Sequence, residues 1–181
     1  MDTATRLLNA AEARMRETGY HAVSFRDLAA DLGIKSASVH YYFPKKEELG
    51  VAVVDRYRRQ FIEGLTAALG PVASPAERLE AVAAAFRAAL VESDKICLCG
   101  VMGAEAQGLP EPVRVELKRF IAEVVDLIQG IYREAGASDP YAQALLTVAA
   151  LEGGMILAVN LEDLSAFDRI VAALLGEGSA H

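Results

Sequence analysis

Residues 24–44 read Ser24-Phe25-Arg26-Asp27-Leu28-Ala29-Ala30-Asp31-Leu32-Gly33-Ile34-Lys35-Ser36-Ala37-Ser38-Val39-His40-Tyr41-Tyr42-Phe43-Pro44. The Ser24 hydroxyl can cap the amides of the turn that follows it, and Asp27 suits the positive end of a helix. Phe25, Leu28, Ala29 and Leu32 then fall on one helical stripe, and Gly33 ends it. A second, shorter helix is predicted from Lys35 to Phe43, with Val39, Tyr42 and Phe43 on one face, and Pro44 halts it. Upstream, Ala4, Leu8, Ala11 and Met15 share a face with Leu7 beside them, which predicts a helix from Asp2 to Thr18 stopped by Gly19. Two short helices joined by a glycine turn, with a helix packed before them, make a helix-turn-helix whose second helix is of a size to enter a major groove.

Working outward, a long fourth helix is predicted from Lys45-Lys46-Glu47-Glu48, with Leu49, Val53 and Tyr57 spaced for packing. Gly70, Pro71 and Pro75 break the chain, and further helices are predicted at 75–92, 96–107, 110–135, 140–160 and 163–175. Alternating strand patterns do not occur, so the fold class expected is all-α, about nine helices. The domains expected are a three-helix helix-turn-helix head over 1–48 and a helical body over 49–181.

The charge is divided along the chain. The net charge is −7, yet residues 1–60 hold ten Lys and Arg against eight Asp and Glu, and the rest holds eight against seventeen. Contact with a polyanion is therefore expected in the first sixty residues, with an acidic body held away from phosphate. At 53% hydrophobic and 24% charged residues, the composition excludes a globally disordered chain. No apolar run is read as reaching bilayer-spanning length and no leader pattern opens the chain, which places the protein in the cytoplasm and away from membranes. Cys97 and Cys99 are too few and too close for a disulfide framework, and no nearby His or Cys completes a metal motif, so neither metal nor cofactor is expected. The two thiols read as buried packing at a helix start, with oxidant or electrophile sensing as the alternative.

On the second helix of the motif, the small residues Ser36, Ala37 and Ser38 let the backbone approach bases, while His40 and Tyr41 can reach phosphates or base edges. Ser24 and Lys46 open helices, where amides and the helix dipole already favour phosphate. Tyr42, Phe43 and Leu49 read first as core, with Tyr42 able to serve both roles. The run Gly19 to Ala29, followed by Gly33 to Leu49, resembles the DNA-binding domain of TetR-type (tetracycline-repressor-like) regulators, over about the first 55 residues. The resemblance puts Ser24, Ser38, His40, Tyr41, Tyr42 and Lys46 at positions that commonly touch DNA, and Arg26, Lys35, Ser36 and Ala37 at positions that do so less regularly. His40 stands where Tyr is more frequent and Ser36 where a longer side chain is, so base preference does not carry over.

The same resemblance implies a one-component regulator, most often a repressor, that binds palindromic double-stranded operator DNA as a homodimer and is released by a small-molecule effector. Leu151 to Leu157 resembles the late helices through which such regulators dimerise. Gly153, Gly154 and Ala158 permit close helix approach there, and Leu161, Leu164, Ile170, Val171, Leu174 and Leu175 offer apolar surface. Phe86, Met102, Phe120, Tyr132, Tyr141 and Met155 are candidates to line an apolar effector cavity, with Glu105 and Glu152 as polar anchors; core packing is the competing role for each. A mostly apolar body favours an apolar or amphipathic effector. An enzyme finds no support, since no nucleophile-elbow, metal or phosphate-loop context surrounds the Ser, His and acid residues. A purely protein-binding module would have shed the basic surface that Arg26, Lys35, Lys45 and Lys46 retain.

Overall fold

The computed structural model describes residues 2–70, 74–93 and 95–176. Among them lie nine helices: α1 (Thr3–Ala22), α2 (Phe25–Leu32), α3 (Ser36–Tyr42), α4 (Lys46–Leu69), α5 (Pro75–Ser93), α6 (Leu98–Ala104), α7 (Glu111–Glu134), α8 (Pro140–Asn160) and α9 (Leu164–Leu175). No strand is found among the described residues, so the protein is all-α.

The chain divides into two compact units, Met1–Arg59 with Leu98–Phe120, and Gln60–Cys97 with Ile121–His181. In the first, α1, α2 and α3 enclose Leu7, Ala11, Met15, Leu28, Val39 and Leu49, all essentially inaccessible to solvent. Ser24 caps α2 by accepting from the Asp27 N–H, and Gly33 closes it at φ 65°. Arg14 pairs with Asp31 across α1 and α2. The expected stop of α1 at Gly19 is only half of what occurs: Gly19 breaks the helix with φ 81°, but helical geometry resumes through Ala22. Packing sets residues up to Arg59, α6 and the first part of α7 in this unit. Arg58 is buried there between Asp55, at 2.7 Å, and Glu116, at 2.8 Å. Both carboxylates are needed, because a guanidinium removed from water without partners is strongly destabilising. The expected helix at 96–107 is shorter, since Glu105 to Gly108 form a turn.

The second unit packs α5, α8 and α9 against one another. Asp139 caps α8, with Pro140 at its first position, and Asp163 caps α9. Gly154 is used inside the chain: a Cβ there would fall 3.1 Å from the Phe167 ring, so the missing side chain lets α8 and α9 approach. Ala158 is likewise buried. These two small residues therefore serve intrachain packing, while Leu161 and Leu164 remain exposed. Contrary to the expectation of no long apolar run, α8 is long and apolar enough by composition to cross a membrane, with a mean hydropathy of 1.7 over a window that is 33% buried. Its Ala, Leu and Val outweigh the interruptions at Gln143, Glu152 and the two glycines.

Candidate nucleic-acid interface

α3 is seven residues long, and only Val39 among them is buried. One buried anchor per two turns leaves most of the helix surface outward, the requirement for a helix that enters a groove. Lys35, Ala37, Ser38, Tyr41 and Tyr42 are brought together on a shallow cleft of about 390 Å³, which Thr3 and Ile34 also line. Thr3 and Ile34 escaped the sequence reading because one opens a different helix and the other belongs to the turn; only the packing of α1 brings Thr3 near.

Tyr41 is 81% exposed and meets Tyr42 edge-on at 5.1 Å between ring centroids. Tyr42, read first as core, is 41% exposed; Val39 and Leu49 fill the interior instead. Each phenol can donate to phosphate or accept from a base edge. Ser36, Arg26 and Lys35 are exposed. His40 is exposed but leans edge-on against Phe25 at 4.8 Å, so its ring also joins α3 to α2. The Ser24 hydroxyl is committed to Asp27, accepting from its N–H and donating to its carboxylate. Lys46 opens α4 half-buried, its Nζ donating to the His21 carbonyl at 3.0 Å and standing 4.6 Å over the Tyr20 ring. Burial lowers the Lys46 pKa, and the Glu105 carboxylate works against that shift. Ser24 and Lys46 thus already have protein partners at the flanks of the α3 surface.

The candidate effector residues divide between the two units. Met102, Glu105 and Phe120 belong with the head, where Phe120 packs on Tyr57 at 5.9 Å and Glu105 accepts from the Tyr20 N–H. Phe86, Tyr132, Tyr141, Glu152 and Met155 belong to the other unit. There Phe86 meets Phe61 edge-on at 5.1 Å, Met155 is fully buried, and the Tyr132 hydroxyl pairs with that of Thr147 at 2.9 Å. Tyr141 is 53% exposed, on the outer face of α8 rather than its inward one. Glu152 is the outlier: its Oε2 is buried without a hydrogen-bond partner, and burial, then the neighbouring Cys97, push its carboxyl up to about 9. Cys97 and Cys99 are buried and form no disulfide, and no cluster able to hold a metal occurs among the described residues.

Residues 7–53 match the family model for bacterial regulatory proteins of the tetR family, and residues 75–173, more than half of the chain, match that for the C-terminal domain of LmrA/YxaF-like transcriptional regulators. The chain belongs to the TetR family. It is 24% identical, over 90% of its length and 87% of the relative's, to the uncharacterized HTH-type transcriptional regulator YxaF of Bacillus subtilis. It shares the fold of a TetR transcriptional regulator from Legionella pneumophila at a TM-score of 0.89 and 28% identity, covering 98% of this chain and 97% of that one. A TetR-family regulator from Agrobacterium tumefaciens superposes with a TM-score of 0.91 at 24% identity, covering the same shares. The protein is therefore a TetR-family transcriptional regulator with an N-terminal DNA-binding domain, and the family is one of regulators, not enzymes.

Proposed function

We propose that this TetR-family protein is a cytoplasmic repressor that binds a palindromic operator as a homodimer and leaves it when a small apolar or amphipathic effector enters the body. The observation that carries the DNA contacts is the outward surface of α3, where Lys35, Ser36, Ala37 and Tyr41 are exposed on a helix anchored by Val39. Ser36, Ala37 and Ser38 allow close approach to base edges, and His40, Tyr41 and Tyr42 hydrogen-bond to bases or phosphates. Arg26, Lys35, Lys46 and the capped start of α2 at Ser24 contact the backbone.

Dimerisation is supported by an apolar stripe that none of the described residues covers. Tyr141, Leu145, Leu146, Ile156, Leu157 and Leu161 are each more than 40% exposed along one side of α8 and its end. The opposite side, with Ala144, Leu151, Gly154, Met155 and Ala158, is buried. A helix with one face already packed fits a partner helix better than a bilayer, which would surround it. The exposed apolar area would be removed from water by a second copy.

Of the two acids read as effector anchors, Glu152 retains a buried oxygen without a partner, whereas Glu105 is engaged by Tyr20. A hydrogen-bond donor on an otherwise apolar effector would satisfy that oxygen. The deciding experiment is binding of the full chain to labelled duplex from immediately upstream of its own gene, with excess random DNA present and the salt stated. The repressor reading expects a saturable, sequence-specific complex of two chains per duplex. If selection from a random pool also yields no preferred sequence, a protein-binding role for α3 takes its place.

A further inference from the structure

Glu105 lies in the turn after α6, and its carboxylate is laid against α1 at the point where that helix breaks. Its Oε2 accepts from the Tyr20 N–H at 2.7 Å. A Cβ on Gly19 would meet Oε1 at 2.3 Å, so the bare glycine, with φ 81°, is what admits the acid. In an unbroken helix the Tyr20 N–H would bond the carbonyl one turn back; a break there calls for another acceptor, and Glu105 supplies it. The turn is seated by a second close approach, since a Cβ on Gly108 would fall 3.0 Å from His21 Nε2. The same corner holds Lys46, hydrogen-bonded to the His21 carbonyl at 3.0 Å and standing over the ring of Tyr20. Burial lowers the pKa of the Lys46 ammonium from its ordinary range, and the nearby Glu105 charge opposes that shift.

We propose that Glu105 is a positioning residue for DNA binding: its charge holds Lys46 in the corner between α1 and α4, away from the phosphate it would otherwise neutralise. This rests on the reading of Lys46 as a backbone-phosphate contact. Attraction of Lys46 and repulsion of phosphate act in the same direction, so the acid lowers the affinity of the head for any duplex.

The test is a double-mutant cycle on the full chain with Glu105→Gln and Lys46→Gln. The first substitution retains an amide oxygen for the Tyr20 N–H and loses only the charge. Dissociation constants are measured at low and high salt for a random duplex and for the duplex the wild type selects from a random pool. Glu105→Gln should tighten binding by about three- to tenfold at low salt, an effect that shrinks as salt rises, and by less than about twofold in the Lys46→Gln background. An equal gain in both backgrounds, no gain, or a loss overturns the proposal. A readout without DNA is acylation of lysines by a small anhydride, scored by peptide mass. Lys46 should react several-fold more slowly than its exposed neighbour Lys45 in the wild type and approach it in Glu105→Gln. Should that variant not fold, equal rates at Lys45 and Lys46 in the wild type overturn the proposal. Absence of saturable DNA binding by the wild type removes the DNA reading and this role with it; wild-type binding that Glu105→Gln leaves unaltered overturns the role of Glu105 alone.

Discussion

Tyr41 and Glu152 are opposite kinds of residue, one polar group displayed and one hidden. Because Tyr41 is 81% exposed, its removal costs the fold little, and Tyr41→Ala should melt with the wild type. It should weaken specific DNA binding by about tenfold, the worth of one direct contact, as read by fluorescence anisotropy. Unchanged affinity would remove Tyr41 from the interface. Glu152 has a folded-state pKa of about 9 against an ordinary 4.5, so the native state binds a proton that the unfolded chain has released. Stability from this group is complete below pH 4.5 and is lost as pH rises toward 9. Glu152→Gln does not titrate. Its stability relative to the wild type should improve by about 3 kcal/mol between pH 4.5 and neutrality, measured by denaturant unfolding across a pH series. A difference constant with pH would mean that the carboxyl is solvated.

At the scale of elements, the glycines separate by what surrounds them. Gly154 faces Phe167 and Ile170 within 3.5 Å of where a Cβ would be, whereas around its neighbour Gly153 no atom comes within 4 Å. Gly154→Leu should wedge α8 from α9 and cost about 1–3 kcal/mol, seen as a lower denaturation midpoint. A variant as stable as the wild type would show that the two helices slide freely. Both glycines look alike in sequence, since periodicity places residues on a face but does not say which faces meet. The same limit applies to Tyr42, whose register beside Val39 suggests the interior although the short α3 buries only one side chain. Helix boundaries were legible wherever a chemical signal sits at the end, as at Ser24, Gly33, Pro140 and Asp163. They were missed where a tertiary contact sets the end: α6 stops before Glu105, whose carboxylate is taken by α1.

For the whole molecule, the open stripe of α8 sets the expected behaviour in solution. Leu157 and Leu161 are 47% and 63% exposed, so Leu157→Glu with Leu161→Glu should leave the fold of one chain intact. On the proposed dimer, light scattering should report two chains for the wild type and one for the variant, since a charge placed on both sides of a twofold interface repels itself. Operator affinity should fall by about two orders of magnitude or more, because two heads no longer bind as one body. A variant that stays dimeric would move the interface elsewhere.

From the sequence alone came the helical class, the approximate count of helices, the helix-turn-helix and the outward placing of Ser36, Ala37, His40 and Tyr41. Each follows from local terms: a cap at Ser24, a stop at Gly33, apolar spacing of three to four, and a motif dense over one short run. Tertiary structure alone decided that Glu105 serves α1, that Gly154 and Ala158 are consumed within the chain, and that the Oε2 of Glu152 is buried without a hydrogen-bond partner. These depend on contacts between residues far apart in the chain, and a carboxylate in a sequence looks the same whether water, an amide or nothing will meet it.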